Sequence, residues 1–120
     1  MIRTSEIKDV AERVREIFEK KKLRPRSREV IKRRLSRLPL EESRIDEMIN
    51  KAVEQFPREA CIIASLYLNI RLRHRGLIVI GSYQEKPHTY IVLDGVIVDI
   101  TADQFGGPRV YVGPIKEPWD

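Results

Sequence analysis

The stretch HTYIVLDGVIVDIT, residues 88–101, decides the fold. Two runs rich in β-branched residues, 88–93 and 96–101, flank Asp94-Gly95. That dipeptide is a strong short-range signal for a two-residue type I′ hairpin. With only Asp94 and Gly95 in the loop, Leu93 faces Val96, Val92 faces Ile97, Ile91 faces Val98, Tyr90 faces Asp99 and His88 faces Thr101. Side chains alternate along a strand, so His88, Tyr90, Ile97, Asp99 and Thr101 share one face. His88 and Asp99 become diagonal neighbours within side-chain reach, whereas a three-residue loop would put them on opposite faces.

Outward from this hairpin, residues 77–80 read as a short strand ending at Gly81, with a loop over 82–87. Residues 109–112 can add a strand after the Gly106-Gly107-Pro108 turn, and the tail to Asp120 is too rich in proline to assign. Upstream, residues 57–75 carry almost no polar face, as expected of a buried central helix, with Gly76 as its C-cap. The first 56 residues read as three amphipathic helices. The first opens with Ser5 as N-cap and ends before Arg24-Pro25; the second runs from Ser27 to Pro39. The third starts at Ser43, where Asp46 suggests a capping box, and stops at Pro57. The expected fold is α+β: N-terminal helices followed by a small antiparallel sheet of three or four strands packed on the Cys61-bearing helix.

A chain of 120 residues fits a single domain, 1–120, with a helical basic part over 1–56 and the central helix plus strands over 57–120. The net charge of +5 lies wholly in the first half: residues 1–60 hold 17 Lys and Arg against 12 Asp and Glu. One cysteine excludes an intramolecular disulfide and suits a reducing compartment. There is no signal-peptide pattern and no apolar run of membrane-spanning length, so a cytoplasmic protein is expected, or an effector delivered without a classical signal peptide. Scarce Asn and Gln beside abundant Lys, Arg, Glu and Ile match the balance of heat-adapted proteins. Two histidines and one cysteine give no zinc-like spacing, and Gly106-Gly107 lacks the following helix of a phosphate cradle, so no metal and no cofactor are expected.

The chemistry resides in Cys61, His88 and Asp99. A carboxylate on one ring nitrogen fixes the imidazole tautomer and leaves the other nitrogen to take a thiol proton. Cys61 sits near a helix start, where the dipole favours the thiolate. A lone cysteine in an apolar helix is also an ordinary core residue, but an acid amid Val96-Ile97-Val98 and Ile100 is costly to bury unpaired, and His88 is the partner the register offers.

The order of Cys on a helix start, His opening a strand and Asp on the next strand resembles the papain-like and transglutaminase-like superfamily of thiol enzymes. The segment HTYIVLDGVIVDITADQF is similar to the His-to-Asp stretch of uncharacterised bacterial members, in which a Phe-Pro pair precedes the Cys as Phe56-Pro57 does here. The resemblance covers about half of the chain. It implies a catalytic Cys61, His88 as general base and Asp99 as its orienter. Gln55, six positions before Cys61, holds the spacing at which papain-like enzymes place an oxyanion-hole glutamine. Two positions depart from the family: bulky Ile62 and Ile63 follow Cys61, and Thr89-Tyr90 follows His88. Gln104, after Asp99, is a candidate substrate contact.

These residues imply acyl transfer at an amide carbonyl of a protein or peptide, as a peptidase, deamidase or transglutaminase. The alternative is a non-catalytic binding module whose basic helices hold nucleic acid or an acidic protein. No membrane partner is expected, and no feature points to a particular oligomeric state.

Overall fold

The computed structural model describes residues 2–120. Helices α1 (Thr4–Glu19), α2 (Pro25–Leu35), α3 (Glu42–Gln55) and α4 (Cys61–Arg71) precede strands β1 (Leu77–Tyr83), β2 (Lys86–Leu93), β3 (Val96–Asp99) and β4 (Tyr111–Pro114). A 3-10 turn, Ala102–Phe105, links β3 to β4. The strands form one antiparallel sheet in the order β1-β2-β3-β4, so the α+β class is the one expected. Among the described residues, no helix is long and apolar enough to cross a membrane.

Burial follows the helical stripes. Ile7, Ala11, Val14 and Phe18 of α1 and Ile45, Ile49 and Ala52 of α3 are buried, and every residue of α4 from 63 to 69 is buried. α4 packs on the other three helices and on β2, and these helices share one core with Ile91, Leu93, Val98 and Ile100 of the sheet. The opposite face of the sheet carries a second, aromatic core: Tyr83, Tyr90, Ile97, Ala102 and Trp119, with Phe105 and Tyr111 packed against it. The alternation of strand side chains thus sends one set of residues to the helices and the other to a lid made by the 3-10 turn and the C-terminal tail.

Several local expectations are corrected. Ser5 and Ser43 lie inside their helices; the N-caps are Arg3 and Glu41, neither making a side-chain cap bond. α2 starts at Pro25, whose fixed φ suits a first helical turn. Cys61 is the first residue of α4, and Gly76 is not its C-cap. Arg73 and His74 take the left-handed conformation, while the Asn69 side chain closes the turn with two hydrogen bonds to the Gly76 backbone at 2.9 and 3.1 Å. Glycine is needed there because a Cβ would meet Ile91 Cγ2 and Asn69 Oδ1 at 2.5 and 2.8 Å. The region 82–87 is not a loop but a second hairpin, turning on Gln84 and Glu85 at φ 51° and 66°. The last strand lies two residues beyond its expected place, and the tail pairs with β1 through Tyr83 and Trp119.

One buried cation ties the layers together. Arg15 is 5% exposed and grips Asp103 with two bonds of 2.8 and 2.7 Å. It also donates to the carbonyls of Ile100 and Arg109, at 2.7 and 3.3 Å, and lies over the Phe56 ring. Its Nε stands 3.3 Å from Glu19 as a charge contact. Arg15 is the buried member of this cluster, and its removal takes the donor from the buried Ile100 carbonyl and the partner from Asp103. Arg15→Ala is therefore expected to lower the unfolding free energy by about 2–3 kcal/mol, read from urea denaturation.

Candidate active site

The hairpin register holds for the three pairs nearest the turn: Leu93 pairs with Val96, Val92 with Ile97 and Ile91 with Val98. It then stops. β3 ends at Asp99, so the expected Tyr90–Asp99 and His88–Thr101 pairs are not part of the ladder. The chain turns away because the Asp99 side chain captures the backbone two residues on: Thr101 N–H donates to Oδ1 at 2.9 Å, and the Thr101 hydroxyl adds a bond of 3.3 Å. This short-range capture is a habit of aspartate at turns.

His88 and Asp99 nonetheless meet as diagonal neighbours. His88 Nε2 lies 2.7 Å from Asp99 Oδ2, and the two side chains are 0% and 1% exposed. A buried carboxylate needs all its lone pairs engaged. Asp99 achieves this with a fourth bond, from Trp119 Nε1 to Oδ2 at 2.8 Å. Tyr83 and Phe105 present ring edges to the imidazole at 6.1 and 5.3 Å between centroids. With Nε2 committed, Nδ1 is the free ring nitrogen, buried and without a hydrogen-bond partner.

Besides Asp99, the titratable neighbour of this imidazole is Cys61. The pairing pattern leaves the first half of β2 without β3 beside it, and α4 packs against β2. Ser65, one turn along α4, donates to the Thr89 carbonyl at 3.2 Å, which fixes the helix against β2. Burial pushes the Cys61 thiol up, but the His88 side chain and the Thr89 backbone outweigh it and hold the thiol below its ordinary value. Burial likewise pushes His88 down, but the bond to Asp99 and the nearness of the Cys61 thiol raise it from 6.5 to about 9. Each group thus favours the charged form of the other. Cys61 is half-buried and lines a cleft of about 180 Å³ with Arg44, Met48, Lys51 and Glu59.

The other expected residues lie elsewhere. Gln55 is the exposed last residue of α3 and is not among the residues lining this cleft. Gln104 sits in the 3-10 turn beside Phe105, its amide nitrogen buried without a partner. Ile63 goes to the core, and Ile62 faces outward beside the cleft. Among the described residues, no group of three His, Cys, Asp or Glu is placed to hold a metal ion. Sequence reading missed Trp119, although it is the chain's single tryptophan, because the tail gave no periodicity. It also missed Thr101 as a donor, for which the Asp-x-Thr spacing was a signal.

The charges fix the direction of a pH effect. Cys61 alkylation by iodoacetamide should begin below the ordinary thiol value of 9.0, since the thiolate forms while His88 is still protonated, up to about pH 9. In His88→Ala the burial effect is left unopposed by the imidazole, so the onset should move upward. Trp119→Phe removes one donor to a buried carboxylate and should reduce the unfolding free energy by about 1–3 kcal/mol in urea titrations. No protein-family model, curated protein or solved structure matches the chain.

Proposed function

We propose that the protein is a thiol-dependent acyl-transfer enzyme acting on an amide bond, with Cys61 as nucleophile, His88 as acid and base and Asp99 as the group that orients His88. The observation that carries this reading is the division of labour on one imidazole. Asp99 holds Nε2, and Nδ1 is left without a partner beside a thiol that is depressed and open to a cleft. A structural cysteine in an apolar core is pushed the other way. The arrangement agrees with the resemblance to papain-like and transglutaminase-like thiol enzymes.

The steps follow from the chemistry of these groups. The Cys61 thiolate attacks the amide carbonyl, an S–C bond forms, and the oxygen takes the negative charge. The backbone N–H groups at the start of α4, which no side chain caps, are the donors available to it. The C–N bond breaks as His88 passes the proton on Nδ1 to the departing amine. Water then attacks the thioester and gives its proton to His88; the acid is released and the S–C bond breaks. An amine in place of water gives transamidation, and a glutamine side chain as substrate gives deamidation.

Nucleic-acid binding by the basic helices has less support. Within α2, Arg28 and Lys32 are already engaged by Asp46, at 3.6 and 3.2 Å.

The test uses a heat-denatured protein as substrate. New amino termini, ammonia release and incorporation of a fluorescent amine distinguish the three products. Cys61→Ala and His88→Ala should each reduce whichever signal appears by a thousandfold or more, on the order seen when a nucleophile or its base is deleted; circular dichroism should be unchanged in Cys61→Ala, whereas His88→Ala also takes a donor from Asp99 and lowers the unfolding free energy. Equal turnover by Cys61→Ala would overturn the proposal.

A further inference from the structure

An apolar groove of about 400 Å³ adjoins the cleft at Cys61 and runs to the free edge of the sheet. Its walls include Leu38 and Leu40 after α2, Ile62 and Leu66 of α4, and Ile78 and Ile80 of β1. Arg44, Met48 and Ile62 line both the groove and the cleft, so the two are continuous. Leu38, Ile62 and Ile80 are 53%, 46% and 87% exposed. Exposed side chains of this kind clustered beside a reactive group mark a binding surface more than a folding defect.

The backbone beside the groove is also unfinished. β1 is the outermost strand, and part of its outer edge is filled by the C-terminal tail. Ser82 and Asp120 exchange N–H and C=O bonds of 2.9 Å each, and Gln84 N–H donates to the Pro118 carbonyl at 3.2 Å. On the inner side, Ser82 stands opposite Pro87, which has no N–H to give. Ser82 therefore points its backbone groups outward. Along an antiparallel strand the direction alternates, so Ile80 and Ile78 point theirs outward too. Among the described residues, no strand covers them. Their side chains, two residues apart, share the groove-facing side of the sheet.

We propose that this edge and groove receive the substrate as an added strand: an extended polypeptide hydrogen-bonds to the backbone of Ile80 and Ile78 and seats an aliphatic or aromatic side chain in the groove, next to Cys61. Main-chain bonds then supply the affinity and the groove the specificity. The inference rests on the catalytic reading only in making the occupant a substrate. It sets the substrate class as an unfolded or extended segment bearing an apolar residue.

The experiment separates binding from turnover. Cys61→Ala is titrated against a fluorescein-labelled, N-acetylated hexapeptide of alternating leucine and serine, and against the same peptide with glutamate for leucine, by fluorescence anisotropy. The leucine peptide should bind, the glutamate peptide about tenfold or more weakly. Ile80→Pro, added to Cys61→Ala, removes one outward N–H at an edge position where proline is tolerated. It should weaken the leucine peptide about tenfold, as should Ile80→Asp. Ile115→Asp, an exposed isoleucine beyond β4 at the far edge, should leave binding unchanged. Equal affinity for the two peptides, no binding of either, or insensitivity to Ile80→Pro overturns the inference. So does sedimentation showing a dimer of this chain that Ile80→Pro dissociates, since the edge would then belong to a second copy. Peptide binding together with none of the three products from denatured protein would sink the catalytic reading and leave the groove assignment intact. Turnover indifferent to Ile80→Pro would do the reverse.

Discussion

A carboxylate buried to 1% exposure organises this protein. Asp99 can keep its charge in an apolar sheet only if donors surround it, and four bonds converge on its two oxygens from Thr101, His88 and Trp119. Each recruits a different piece of chain. Thr101 bends the chain out of β3, His88 brings the imidazole from β2, and Trp119 pulls the tail across the sheet. The turn out of β3 opens the gap beside β2, and the tail forms the lid that keeps His88 dry. The electrostatic needs of one side chain thus shape the end of the ladder, the docking of the terminus and the tautomer of the histidine together.

Local signals in the sequence were enough wherever the fold obeyed a short period. Asp94-Gly95 set the β2–β3 register, and with it the diagonal contact of His88 and Asp99. The helical stripes of α1 and α3 are buried as their spacing requires, and α4 is central because it has no polar side to offer water. What stayed hidden depends on distance or on atypical residues. Gln84 and Glu85 form a turn of the same kind as Asp94-Gly95 without any of its preferred residues. Trp119 and Arg15 act on partners 20 and 88 positions away, respectively, and no periodicity reports such contacts.

The two cores explain how a thiol on a helix meets a histidine that faces away from the helices. His88 shares its face of the sheet with Tyr90 and the aromatic lid, whereas α4 lies on the other face with Ile91. β3 leaves its neighbour at Asp99, so the residue that steadies the imidazole also ends the ladder beside the half of β2 that carries His88.

The Arg15 clasp bears on how the chain can be divided. The residues proposed for chemistry all lie after position 60, which invites treating that half as a module to be excised or fused to another protein. Yet the segment following Asp99 is fastened from α1, through Asp103 and the Ile100 carbonyl. An excised second half would lose the far anchor of the turn that shapes its carboxylate.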